Sequence, residues 1–139
     1  MSVPEYARAL GKSKVISAAL ENCKHTLKVC KSEKNFPKRD RWILTNKIVS
    51  DAEDILKCCI LSNNITVTTA GDYELRRRYQ MQAKGYAMDQ LALMLIAYES
   101  LSLEISEEYW IDLVDKFLAL LQKWNDSDRR RYGHLLDRS

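Results

Sequence analysis

The sequence predicts an all-α protein: an antiparallel up-down-up-down four-helix bundle that assembles into a ring-like homo-oligomer. Its 139 residues include only four glycines and two prolines, and 46% of them are hydrophobic. Such a composition disfavours disorder and turn-rich β folds. Four long segments also repeat apolar residues with helical spacing. We expect an N-terminal arm (1–12), one bundle domain (13–125) and a basic C-terminal tail (126–139), because a chain of this length forms a single core.

The first two helices are predicted from about Ser13 to Glu33 and from about Pro37 to Leu61. Pro37 suits a first helical turn, and Asp40 complements the helix dipole there. The core residues of the first helix recur at spacings of 4 and 3, which is typical of a left-handed bundle; they are Ile16, Leu20, Cys23, Leu27 and Cys30. The core residues predicted for the second are Leu44, Ile48, Ala52, Ile55 and Cys59.

The third and fourth helices follow an ordered loop over 62–72. The third is predicted from about Asp72 to Leu103, with a core face of Leu75, Tyr79, Ala83, Tyr86, Leu93, Ala97 and Leu101. Gly85 costs about 1 kcal/mol relative to alanine in a helix, so it is expected to permit a kink or a close helix contact. The fourth helix begins at the N-cap Ser106 and ends near Trp124. Its core residues are Trp110, Val114, Phe117, Leu121 and Trp124. We expect the tail to be frayed or ordered only by a partner.

Two of the helices carry a second apolar row that a lone bundle does not need. The rows recur every seven residues, and they are Trp42, Val49, Leu56 and Met81, Met88, Leu95. The segment 91–97 is apolar on every side, which implies burial all round. These six residues are therefore the predicted oligomer interface.

No catalytic, metal or cofactor site is predicted. Neither His25 nor His134 has the glutamate three residues earlier that a di-iron bundle requires, and Cys23 and His25 point in different directions on a helix. The four cysteines are interpreted as reduced, packed thiols, and no phosphate-binding glycine motif is present. We predict that the protein is not an enzyme and needs no cofactor. With no secretory or membrane-length apolar segment, its expected location is the cytoplasm.

Positive charge is the remaining functional signal. The net charge is only +3, but residues 1–50 carry eleven Lys/Arg against four Asp/Glu, whereas residues 85–128 carry two against nine. The candidate nucleic-acid-binding residues are Lys24, Lys28, Lys31, Lys34, Lys38, Arg39, Arg41, Arg76, Arg77, Arg78, Arg129, Arg130 and Arg131. With alternating helix directions, the last six form one basic pole and the first seven another. Such patches bind nucleic-acid backbones, although the same charges could serve only to keep the protein soluble.

The segments "FPKRDRWILTNKI", "ILKCCI" and "ISEEYWIDLVDKFLALLQKW", with the arginines that open the third helix, resemble a known family over about residues 15–125. It comprises the four-helix-bundle proteins called accessory variability determinants (Avd) of diversity-generating retroelements, and related proteins encoded in intervening sequences of 23S rRNA genes. The resemblance implies a barrel-like homopentamer that binds RNA or DNA and a reverse transcriptase, and so assists mutagenic copying. By motif position Lys38, Arg39 and Arg41 match the family's basic residues. A protein-only oligomeric scaffold is the alternative.

Overall fold

The computed structural model describes residues 13–101, 103 and 107–138, without the side chains of 40–42 and 138. This part of the chain is all-helical, as predicted, and contains four long helices. They are α1 (Lys14–Lys31), α2 (Asn46–Asn63), α3 (Ala70–Ser100) and α4 (Glu107–Tyr132). A 3-10 turn (Lys38–Asp40) and a π-helical turn (Arg41–Thr45) lead into α2, and a 3-10 segment (Gly133–Arg138) follows α4. The predicted arm and the predicted cap Ser106 lie outside the described residues.

Side-chain caps fix the starts of α1 and α3. The Ser13 hydroxyl accepts a hydrogen bond from the Ile16 amide. At α3, the Thr69 hydroxyl accepts from the Asp72 amide at 3.1 Å, and the Asp72 carboxylate accepts from the Thr69 amide at 3.1 Å. This reciprocal pair is a capping box. Helix α3 therefore begins two residues before the predicted Asp72.

The α1–α2 connection is anchored by Phe36. Its ring is fully buried and meets Trp110 edge-on, with centroids 6.5 Å apart. Trp110 also contacts the rings of His25 and Tyr98. The basic loop that precedes α2 is thus tied to the core beneath the first turn of α4.

The predicted cores of α2 and α4 agree with the structure. Ile48, Ala52, Ile55 and Cys59 are buried in α2, as are Trp110, Val114, Phe117 and Leu121 in α4. Leu44 and Trp124 are half-buried and pack against this core. Apolar spacing was sufficient to identify these two faces.

The predicted core faces of α1 and α3 are partly wrong. Leu27, Leu75 and Tyr86 are exposed, and Leu20, Tyr79, Leu93 and Leu101 are half-buried. The residues buried on α3 are Tyr73, Gln80, Ala83, Ala87, Gln90, Met94 and Ala97. On α1 the buried face includes Asn22 and Thr26. Polar residues occupy central core positions on both helices, so hydrophobic spacing alone selected a rotated face.

Gln90 joins α3 to α1 and α4 through buried hydrogen bonds. Its amide and that of Asn22 pair reciprocally, at 2.8 and 3.0 Å. Gln90 Nε2 also donates to Thr26 Oγ1 at 3.2 Å, and Trp110 Nε1 donates to the same hydroxyl at 3.0 Å. All four side chains are fully buried. Breaking any link leaves a polar group without a partner in the core.

Helix α4 is longer than predicted. It continues past Trp124 to Tyr132, so residues 126–138 are not a frayed tail. The cause is Asp128, which is buried and forms an ion pair with Arg76 of α3. A contact so distant in sequence leaves no local hydropathy signal.

Gly85 lies on an open side of α3 in the described part of the chain. It is exposed, and a Cβ built on it would meet nothing within 4 Å. Among the described residues, no helix has the length and apolar character required to cross a bilayer.

We expect Gln90→Ala to destabilise the protein by about 2–4 kcal/mol, because it leaves Asn22 and Thr26 incompletely bonded and opens a cavity. Urea denaturation followed by circular dichroism measures the change. The control is Lys84→Ala, at an exposed site on the same helix, which should shift stability by less than about 0.5 kcal/mol. Equal effects of the two variants would contradict a structural role for the buried amide network.

Candidate nucleic-acid interface

The two arginine clusters lie at the same end of the helices, held by a buried ion pair. Arg76 Nε and Nη2 donate to the two Asp128 carboxylate oxygens at 2.7 and 3.0 Å. Gln80 Nε2 donates to Asp128 Oδ2 at 2.7 Å. Arg76 and Asp128 side chains are only 11% and 3% exposed. The start of α3 is therefore fastened to the end of α4.

Arg76 is fully engaged inside the protein. Its third donor, Nη1, bonds the Ile65 carbonyl oxygen at 3.2 Å. Its guanidinium carbon lies 5.3 Å from the ring centroid of Trp124 and 5.8 Å from that of Tyr132, distances at which cations and aromatic faces attract. We therefore reassign Arg76 from nucleic-acid contact to the structural support of this end.

Five exposed arginines surround this support, and we name them the arginine pole: Arg77, Arg78, Arg129, Arg130 and Arg131. Arg77 lies 5.7 Å from the Tyr73 ring and Arg131 lies 5.8 Å from the Tyr132 ring. The two tyrosine rings are themselves 5.9 Å apart. Arg129 forms a surface ion pair with Asp126. Positive charge is thus concentrated at this end, and the rings of Tyr73 and Tyr132 help to position Arg77 and Arg131.

The remaining candidates form what we name the lysine edge: Lys24, Lys28, Lys31, Lys34, Lys38, Arg39 and Arg41. Lys24 pairs with Glu21 at 3.5 Å, and Lys38 with Glu33 at 3.7 Å. All four side chains are more than half exposed, so these pairs add little stability but lower the local charge. The side chain of Arg41 is outside the described set. The lysine edge is spread along α1 and the following loop, and among its described side chains none is tied to another helix by a buried ion pair like that of Arg76 and Asp128.

The cysteines and His25 occupy packed positions. All four cysteines are buried free thiols, as predicted. Burial raises the pKa of Cys30 and of Cys59 to about 12, which keeps both thiols protonated at neutral pH. Burial also lowers the pKa of His25, whose ring stacks edge-on against Tyr109 at 4.8 Å. Within the described ranges, no group of three or more His, Cys, Asp or Glu residues could hold a metal ion.

The predicted interface rows differ in exposure. Met81, Met88 and Leu95 are 55%, 52% and 48% exposed. Val49 and Leu56 are half-buried and pack partly against the chain's own core, and the side chain of Trp42 is not described. The α3 row is thus the more open of the two.

One feature that the sequence reasoning missed is a pair of acids between α2 and α3. Asp51 on α2 is buried, whereas Asp89 on α3 is exposed. Its burial, a hydrogen bond with Asp89, and the charges of Asp89 and Asp54 together raise the pKa of Asp51 to about 8. Two carboxyl groups in contact must share a proton. Only the tertiary packing of two separate helices reveals this pair.

No family model, curated protein or solved structure matches this chain significantly. Its class is therefore defined by the fold and the surface alone: an all-helical protein with a charged pole supported by a buried ion pair.

We expect Asp128→Ala to destabilise the protein by about 3–5 kcal/mol, because it leaves the Arg76 guanidinium buried without its counter-ion. The matched control is Asp126→Ala, which removes a surface pair two residues earlier on α4 and should cost at most about 1 kcal/mol. Thermal and urea unfolding compare the two variants. Similar losses in both would show that the buried pair has no special role.

The Asp51–Asp89 pair predicts a pH dependence of stability. The folded-state pKa of Asp51 is raised above its ordinary value of 3.8 to about 8, so the folded state binds a proton that the unfolded chain releases. Stability contributed by this proton is complete at low pH and declines as pH rises toward 8. Asp51→Asn should therefore flatten the dependence between pH 5 and pH 8.5 and stabilise the protein at its alkaline end.

Urea denaturation at several pH values measures this effect. Glu53→Gln, an exposed change on the same helix, is the control and should keep the wild-type slope. An Asp51→Asn profile parallel to the wild-type profile would contradict the shared proton.

Proposed function

We propose that this protein is a non-catalytic, oligomeric accessory factor that binds RNA or DNA through its arginine pole. The observation that carries the proposal is the convergence of five exposed arginines from two helices around the buried Arg76–Asp128 pair. Guanidinium groups gathered at one end can replace several counterions of a phosphate backbone at once. Such binding is tolerant of sequence, because it depends on phosphates rather than on base edges.

The proposed helix order is up-down-up-down. Two hydrogen bonds between α2 and α3 support it, from the Ser62 hydroxyl to the Arg76 carbonyl oxygen and from the Cys58 thiol to Gln82. Asp51 is also close enough to Asp89 for Asp89 to raise its pKa. Residue numbers fall on α2 as they rise on α3, as antiparallel neighbours require. Helices α3 and α4 give the same pattern, since Arg76 contacts Asp128 whereas Tyr98 contacts Trp110.

We further propose that copies of the chain assemble into a ring. The exposed methionines of α3 and the half-buried residues of α2 support assembly, because a monomer that displays large apolar rows gains by burying them. In the role that the Avd resemblance implies, such a ring acts in the cytoplasm, where it binds a reverse transcriptase together with nucleic acid and assists the mutagenic copying of a template repeat. Neighbouring genes test that role: a reverse transcriptase gene beside an imperfect repeat would support it, and placement within a 23S rRNA gene would favour the other branch of the family.

A protein-only scaffold is the second candidate function. It is favoured by the surface ion pairs of Lys24, Lys38 and Arg129, which lower the charge available to a polyanion. In this alternative, assembly through the apolar rows is the function and the arginine pole contributes only solubility.

Binding of labelled single-stranded RNA and duplex DNA, measured by fluorescence anisotropy, separates the two. If the five arginines each neutralise one phosphate, raising salt from about 50 to about 200 mM should weaken binding roughly 100- to 500-fold. The triple change Arg77, Arg78 and Arg130 to Gln should abolish most of the affinity at low salt.

The matched control removes the same charge from the lysine edge, by changing Lys38, Arg39 and Arg41 to Gln. It should reduce affinity much less, with circular dichroism confirming that both variants fold. Equal losses would overturn the assignment to the arginine pole. Binding that resists high salt, or no binding at low salt, would overturn the nucleic-acid role and favour the scaffold.

A further inference from the structure

Helix α3 presents an apolar ridge on the side opposite its core face. We name as the ridge the exposed residues Met81, Gly85, Met88, Ala92, Leu95 and Ile96. The first five recur at spacings of 4, 3, 4 and 3, the same repeat that seals helices against one another in a bundle core. Four of the six are large side chains between 48% and 55% exposed. The ridge therefore has the pattern of a helix-packing face, and within the described part of the chain no helix packs over it; only Met81 and Met88 border a groove shared with α4.

Gly85 lies in the middle of the ridge and suits a close approach. A glycine in a helix interior costs about 1 kcal/mol relative to alanine, yet nothing within 4 Å would obstruct a Cβ here. No turn or positive φ requires it either, since α3 is continuous from Ala70 to Ser100. Flanked by Met81 and Met88 and followed by Ala92, it forms a shallow notch between large side chains.

A groove of about 400 Å³ runs between α1 and α2 on another side of the molecule. It is lined by Cys23, Leu27, Glu53, Leu56, Lys57, Ile60 and Leu61. Leu27 and Leu61 are 37% and 36% exposed, so its apolar floor is open to solvent. Leu56 is one of the residues that the sequence assigned to an oligomer interface.

Ridge and groove match level by level along the helices. Asn22 contacts Gln90, and α1 and α3 run in the same direction in the proposed order. Leu27 and Leu95, each five residues further on, therefore share one level, and Lys31 and Glu99, each nine further on, share another. The contact between Cys58 and Gln82 places Ile60 near the level of Met81. Apolar residues thus meet apolar residues, and a lysine meets a glutamate.

We propose that the α3 ridge of one copy seats in the α1–α2 groove of the next copy, and that this contact repeats around the ring. Rotation about an axis parallel to the helices keeps every residue at its own level, so the matched pairs meet in each contact. The occupant is a second copy because the exposed Lys31 on the helix that borders the groove and the exposed Glu99 on the ridge helix lie at one level, which gives charge complementarity between identical chains. This inference rests on the proposed ring and adds which two surfaces of each copy meet in its heterologous contact.

The test uses one variant in each surface, Met88→Lys in the ridge and Leu27→Lys in the groove. Both sites are exposed, so both variants should fold, as circular dichroism can verify. Each variant alone should be monomeric by size exclusion with light scattering, with a mass near 16.2 kDa. An equimolar mixture should form a dimer of twice that mass, because the ridge of the Leu27→Lys chain still fits the groove of the Met88→Lys chain. Asp115→Lys, an exposed change on α4, is the control and should keep the wild-type mass.

Other outcomes would contradict the ridge-in-groove contact, the proposed oligomer or the arginine-pole function separately. If Leu27→Lys assembles like the wild type while Met88→Lys does not, the ridge pairs with a second ridge and the heterologous contact is excluded. A mixture that stays monomeric excludes it as well. A wild-type chain that is monomeric at high concentration overturns the proposed oligomer together with this inference. An assembled wild type that binds no nucleic acid overturns the arginine-pole function and leaves the ridge-in-groove contact standing.

Discussion

Two buried amide side chains on one face of α3 donate hydrogen bonds to neighbouring helices, and these bonds fix the placement of α3 against the rest of the structure. Gln90 bonds Asn22 and Thr26 on α1, and Gln80 bonds Asp128 on α4. A buried polar group without a partner costs about 1–3 kcal/mol. Sliding α3 by one turn, or rotating it to bury its leucines and methionines, would break both sets of bonds at once. Apolar packing alone tolerates such shifts, so the amides give the helices one register.

The same register determines what α3 shows to solvent. When Gln80, Ala83, Ala87 and Gln90 face inward, the row from Met81 to Leu95 necessarily faces outward, because residues that are one position apart lie about 100° apart around the helix. The exposed ridge is therefore a consequence of the buried amides rather than an independent feature. A helix whose apolar residues all faced the core would have left no surface for a second copy.

How much the sequence could predict depends on where the polar residues lie. The faces of α2 and α4 were predictable because their cores contain long runs of apolar residues at helical spacing: Ile48, Ala52, Ile55 and Cys59 in α2, and Trp110, Val114, Phe117 and Leu121 in α4. The face of α3 was not, because its glutamines are core residues only by virtue of Asn22, Thr26 and Asp128, which lie far away in the chain. That the two arginine clusters share one end could be predicted from the expected helix directions. The buried ion pair of Arg76 could not be predicted, since no local pattern identifies its partner Asp128.

The buried ion pair and the ridge act together in the proposed ring. Because rotation about an axis parallel to the helices keeps each residue at its level, the arginine poles of all copies lie on one face of the ring, each held in place by its own Arg76–Asp128 pair. A polynucleotide that contacts one pole is then within reach of the next, so successive contacts are intramolecular and strengthen one another. The five arginines of each copy thereby join those of the next copy in one continuous phosphate-binding surface. Assembly through apolar surfaces can in this way convert a chain of net charge +3 into a binder of nucleic acid, even though each copy carries an acidic half.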